Sequence, residues 1–112
     1  MNIESSDYDI DLTQPCVDDP HKYIAQSSFE KIISMDALCQ ILQDNLVLGL
    51  ITQLSCSEKL GVARFDFKDK TIILYDSGKI DIRRTSGVGD ARDTMKNVET
   101  MIVDSFNDIS FD

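Results

Sequence analysis

The chain is poor in the residues that most often announce chemistry: one histidine, three cysteines and no tryptophan among 112 residues. With His21 as the sole imidazole, a nucleophile–base set has a single candidate base. No Ser–His–Asp or Cys–His arrangement surrounds it, so an enzyme is not the expectation. Cys16, Cys39 and Cys56 are odd in number. Residues 1–5 lack the basic and apolar regions of a secretory leader, so reduced thiols and a cytoplasmic location are expected. No apolar run approaches the roughly 20 residues of a membrane-spanning helix, which leaves no membrane partner. Lys and Arg are missing from both ends. Glu4, Asp7, Asp9, Asp11, Asp18 and Asp19 occupy residues 1–20, and Glu99, Asp104, Asp108 and Asp112 occupy residues 99–112. All 11 bases therefore lie in residues 21–98, and the net charge of −9 is concentrated at the termini. An acidic chain makes a poor stand-alone nucleic-acid binder, because neutralising phosphates supplies most of the non-specific affinity.

What the sequence does have is alternation. In residues 62–67, Ala63, Phe65 and Phe67 fall on one face and Arg64 and Asp66 on the other. Residues 71–75 are rich in β-formers, and Asp76-Ser77-Gly78 turns the chain. Residues 79–84 alternate again, with Ile80 and Ile82 opposite Lys79, Asp81 and Arg83. Period-two alternation between turn residues predicts a three-stranded antiparallel meander over residues 60–84.

Around the meander, residues 8–12 alternate apolar and acidic side chains and read as an edge strand inside an acidic arm. Pro15 and Pro20 exclude a helix interior or central strand there. The first six or so residues are expected to be disordered. Residues 22–29 predict a strand. Residues 34–45 predict a helix, with Ser34 as N-cap and Met35, Leu38, Cys39, Ile41 and Leu42 as its apolar stripe. In residues 46–54 the apolar run predicts an extension of that helix, then a buried strand from Gly49, with a polar turn at 55–59. Asp90 reads as the cap of a second helix striped by Ala91, Met95, Val98, Ile102 and Phe106. Residues 104–112 are expected to fray into an acidic tail.

The expected fold is α+β: a single antiparallel sheet in the order β-α-β-β-β-β-α with two amphipathic helices on one face. It divides into an acidic extended arm at 1–21, one domain at 22–108 and an acidic tail at 109–112. The other sheet face would present Arg64, Asp66, Lys79, Asp81 and Arg83.

Two resemblances add to this. Residues 71–80, Thr-Ile-Ile-Leu-Tyr-Asp-Ser-Gly-Lys-Ile, followed by the helix from Asp90, resemble one repeat of the TATA-box-binding-protein fold. The likeness spans residues 22–107 and implies that fold. A DNA saddle of this kind takes two repeats and a basic, aromatic face. One repeat with a mixed-charge face does not imply stand-alone DNA binding. The arm, with Asp9-Ile10-Asp11-Leu12, Pro15-Cys16 and Asp19-Pro20, is similar to the start of uncharacterised archaeal proteins in which such a domain precedes an iron–sulfur segment. This chain carries no cluster motif, so no cofactor is implied for it.

The leading expectation is a small non-enzymatic interaction or accessory domain. It would bind a protein partner, or a second copy of itself, through Arg64, Asp66, Lys79, Asp81 and Arg83. Alternative readings are an accessory metal- or ligand-binding domain associated with redox proteins, with Cys16 and His21 as ligands, and a weak nucleic-acid binder. Cys39 reads as a small core hydrophobe and Cys56, between two serines, as more exposed. Gly87-x-Gly89 with Arg83, Arg84 and Arg92 nearby suggests an anion site at a helix start, opposed by Asp90 and Asp93.

Overall fold

The computed structural model describes residues 8–15 and 21–107. The chain runs through β1 (Asp11–Pro15), β2 (Tyr23–Ser28), α1 (Met35–Val47), β3 (Thr52–Ser57), β4 (Val62–Phe67), β5 (Lys70–Tyr75), β6 (Lys79–Thr85), α2 (Val88–Ile102) and a 3-10 turn at Val103–Ser105. The strands form one six-stranded antiparallel sheet in the order β1-β2-β6-β5-β4-β3. The fold is the α+β arrangement that the alternation predicts, and the arm supplies the edge strand β1, at 11–15 rather than at the expected 8–12.

One layer of side chains holds it together. Ala63, Phe65 and Phe67 from β4, Ile72 and Leu74 from β5, Ile80 and Ile82 from β6 and Ala25 from β2 are all buried. They meet Met35, Leu38 and Leu42 of α1 and Ala91, Met95, Val98 and Ile102 of α2 in one cluster. Each fully buried aliphatic or aromatic side chain stabilises the fold by roughly 2 kcal/mol. The arm is tied on at Tyr8. Its ring packs edge-on to Phe29 at 5.8 Å and its hydroxyl donates to the Glu99 carboxylate. Burial, then the Glu99 hydrogen bond and charge, push the Tyr8 phenol well above its ordinary value.

Leu46 and Val47 extend α1 as expected, but the strand expected from Gly49 starts later. α1 ends at Val47, Gly49 adopts φ +80, and the strand begins only at Thr52. The amide of Leu50 donates to the Asn45 carbonyl and that of Gly49 to Leu46. This paired closure is favoured by a left-handed glycine just past a helix. Ile51 is buried, but Val47, Leu48 and Leu50 stand 78, 71 and 56 % exposed, so most of the run is surface rather than core. Ser55, Cys56 and Ser57 belong to β3, and the turn lies just beyond them, closed by the Gly61 amide on the Ser57 carbonyl.

Residues 104–107 are also not frayed. Ile33 and Phe106 form an isolated bridge, the Ser34 amide donates to Ser105 and that of Asn107 to Ile32. Phe106 leaves the helical stripe to pack on Phe29 at 5.6 Å. The acidic tail at 109–112, the first six residues and Cys16 lie outside the described residues.

Reduced thiols are replaced by a bridge: Cys39 and Cys56 form a disulfide with their Cα atoms 5.7 Å apart. An odd number of cysteines excludes a fully paired set, not one pair. Cys56 lies opposite Ala63 on the helix-facing side of the sheet, and Cys39 lies on the stripe of α1 that packs there.

Asp90 is the third residue of α2 rather than its cap. Its carboxylate accepts from the Ser86 amide at 2.9 Å and pairs with Lys70 at 3.0 Å. Lys70 is a buried cation, its side chain 7 % exposed, held also by Asp69 at 2.9 Å. Burial pulls the Lys70 ammonium down, but the Asp69 and Asp90 hydrogen bonds and charges outweigh it and raise it. The Lys70 hydrogen bond is the main cause holding Asp69 below its ordinary value. For Asp90, burial works upward and is outweighed by the Ser86 and Lys70 hydrogen bonds. Lowered carboxylates contribute stability above their unfolded value, about pH 4, and lose it as pH falls through the folded values. The raised Lys70 contributes below its unfolded value, about pH 10, and loses its contribution as pH rises through the folded one. Asp90→Asn is expected to cost about 2 kcal/mol at neutral pH, since a charge-assisted bond to a buried cation is lost. Urea midpoints at pH 7 and pH 3 check this: the difference between the variant and the native chain should shrink in acid.

Candidate functional site

The register places the open-face residues in rows. Thr52, Asp66, Thr71 and Arg83 follow one another across β3, β4, β5 and β6. The next row runs Ser55, Arg64, Ile73, Asp81, Gln26 and Asp11 across all six strands. Alternation forces this: with Phe65, Ile72 and Ile82 buried against the helices, their neighbours must point the other way. Arg64, Asp66, Lys79, Asp81 and Arg83, the residues expected on this face, are therefore all on it, and Lys79 lies opposite Ser28.

Their partners differ. Arg64 has no hydrogen bond or ion pair among the described residues and is exposed. The Asp66 carboxylate accepts the Thr71 hydroxyl at 2.9 Å. The Asp81 carboxylate accepts the Tyr75 hydroxyl through one oxygen at 3.2 Å, while its other oxygen is buried without a donor among the described residues. Burial first, then the Asp81 charge and hydrogen bond, raise the Tyr75 phenol, and Arg83 works against them. The Lys79 ammonium lies 5.6 Å from the Tyr75 ring centre.

The face is polarised. A hollow of about 410 Å³ is lined by Gln53, Ser55, Arg64, Asp66, Thr71 and Arg84. A second, of about 320 Å³, includes Asp9, Asp11, Glu30 and Lys79 in its lining. The first hollow thus holds two guanidinium groups and one carboxylate, the second three carboxylates and one ammonium. Gln53, Ser55, Thr71 and Arg84 are site residues that strand alternation did not mark. Thr71 carried a signal, because it falls in phase with Ile73 and Tyr75 on the open face. Arg84 is marked by sequence only as a neighbour of Gly87-x-Gly89, and Gln53 not at all, because each sits where the alternation slips.

His21 is exposed, and Cys16, the other half of the expected metal pair, lies outside the described residues. Among the described residues no three of His, Cys, Asp and Glu are grouped to hold a metal ion. At the start of α2, the Asp90 carboxylate already takes the Ser86 amide, so the chain's own acid stands where an anion would sit. No described helix is long and apolar enough to cross a membrane. No family model matches the chain, and neither a curated protein nor a solved structure does.

Proposed function

We propose that this protein is a small non-enzymatic interaction domain that binds a protein partner through the open face of its sheet. The observation that carries this reading is the row pattern. Six strands present one face that no described helix covers, with Arg64 on it unpaired among the described residues. A single-layer sheet can leave one face to water, but that face then needs no ordered opposition of charge. Here the charge is sorted, and sorted potentials set partner choice and register more than raw affinity. On this reading the segment from β2 to α2 is one repeat of TATA-box-binding-protein type used as a docking platform, and the net charge of −9 opposes a nucleic-acid role.

Arg64→Glu combined with Arg83→Glu is the direct test, because both side chains are exposed and neither serves the core. Affinity capture from a lysate of the native host, with the unaltered protein alongside, should show a specific partner reduced about tenfold or more by the double reversal. Thermal melting of the variant should be unchanged. Equal capture by both proteins would remove the open face as the binding surface.

A further inference from the structure

We infer that the hollow between β3 and β6 is a carboxylate-binding subsite, and that the partner segment it receives is acidic. This rests on the reading that the open face binds a protein partner, and it adds the chemistry of what is bound.

The backbone gives the first reason. Gln53 and Arg84 have φ values of 56 and 66, left-handed for residues that carry a Cβ. Both sit at slips in the ladders. On β3, three steps from Thr52 to Ser55 span two on β4, from Asp66 to Arg64. On β6, three steps from Ile82 to Thr85 span two on β2, from Ala25 to Tyr23. Each slip turns one extra polar side chain outward while the strand resumes its inward phase, and Thr85 is again fully buried. Left-handed conformations at non-glycine residues are unfavourable and persist only where surrounding structure holds them. Bulges of this type re-aim side chains, often beside functional sites. Two of them, on strands separated by β4 and β5, line one hollow.

The second reason is that the cation is held ready. Arg84 donates from Nε to the Asp69 carbonyl at 3.0 Å and from Nη2 to the Thr71 hydroxyl at 2.8 Å. Thr71 is 2 % exposed, and its own hydroxyl donates to the Asp66 carboxylate at 2.9 Å. A guanidinium fixed in this way loses little freedom on binding. Arg64 stands on the other side of the hollow, and Gln53 and Ser55 add neutral donors.

Charge selects the ligand. Arg64 and Arg84 line the hollow with one carboxylate, Asp66, within a chain of net charge −9. Guanidinium forks match carboxylates in plane and spacing. Asp66 lies in the same wall, so a phosphate dianion meets twice the repulsion that a carboxylate meets. The hollow is sized for a side chain rather than a helix.

The test is an amide and arginine-side-chain NMR titration of the full chain with a hexaglutamate peptide. Inorganic phosphate, hexalysine and a short single-stranded DNA serve as parallel arms. Hexaglutamate should shift the resonances of residues 53–55, 64–66 and Arg84. Arg64→Ala should weaken it about tenfold, the scale of one charge-assisted hydrogen bond. Gln53→Gly, which keeps the left-handed backbone and removes only the amide, should weaken it to a smaller extent without unfolding. Absence of hexaglutamate shifts, equal response to hexalysine, or tighter binding of phosphate or DNA would each overturn the subsite. If hexaglutamate fails while the Arg64→Glu, Arg83→Glu protein still loses its partner, the subsite falls and the open-face reading stands.

Discussion

Reducing the Cys39–Cys56 disulfide is expected to cost the fold about 3 kcal/mol, from the entropy of a loop closed across 17 residues. For a domain of this size that lowers the melting temperature by roughly 10 °C. The loop it closes contains the rest of α1, the exposed Val47–Leu50 turn and most of β3. β3 is an edge strand paired only to β4, and its ladder slips at Gln53. Its apolar side chains, Leu54 and Cys56, are only half-buried against the core. The loss should therefore be localised: amide exchange should rise in β3 and the last turn of α1 before it rises in β5 or β6. Thermal melts with and without a phosphine reductant, repeated on Cys39→Ala with Cys56→Ala, measure it. Non-reducing peptide mapping should recover the two cysteine peptides joined. Melts that coincide with and without reductant would show that the bridge adds nothing. In a compartment that keeps thiols reduced, the reduced form is the working one. Because Gln53 and Ser55 of the β3 edge line the arginine hollow, the same loosening would reach the proposed site.

That bridge also shows where the sequence stopped being legible. The meander could be read because each strand buries one face, so hydrophobicity repeats every second residue. Phe65 and Ile82 are fully or almost fully buried, while Arg64 and Arg83 are exposed, as the alternation requires. Pairing Cys39 with Cys56 required knowing that α1 packs on β3, a tertiary fact that neither element's own pattern contains. Leu46 to Leu54 misled for the opposite reason. Apolar residues reported burial that the left-handed Gly49 prevents by turning the chain at the surface. The candidate face divides the same way. Arg64, Asp66, Lys79, Asp81 and Arg83 follow from phase alone. Gln53 and Arg84 do not, because a bulge inserts one residue and reverses the phase that pattern reading depends on.

Gly78→Ala is expected to destabilise the protein by about 3 kcal/mol, the upper end for a strained left-handed residue. The sequence marks residues 76–78 as a turn, and the structure adds what the turn touches. Gly78 has φ +94, and a Cβ built there would lie 2.3 Å from the Lys31 carbonyl oxygen and 3.1 Å from its amide nitrogen. Those are backbone atoms, so no rotamer change relieves the clash. The contact is close because two hydrogen bonds draw the segments together, the Phe29 amide to the Gly78 carbonyl and the Ile33 amide to the Asp76 carbonyl, both at 2.9 Å. The 29–34 connection is in turn bonded to residues 105–107 on its other side. Displacing Lys31 would thus loosen the β5–β6 turn, the entry to α1 and residues 105–107 together. Gly49 supplies the control. It is also left-handed, at φ +80, but nothing lies within 4 Å of where its Cβ would be. Gly49→Ala should cost only about 1 kcal/mol, the conformational part alone. Denaturant unfolding of the two variants separates the terms. A difference near 2 kcal/mol assigns the excess to the approach at Lys31, whereas equal losses would mean that the turn moves aside freely and does not fix the geometry of β6, on which Lys79, Asp81 and Arg83 depend.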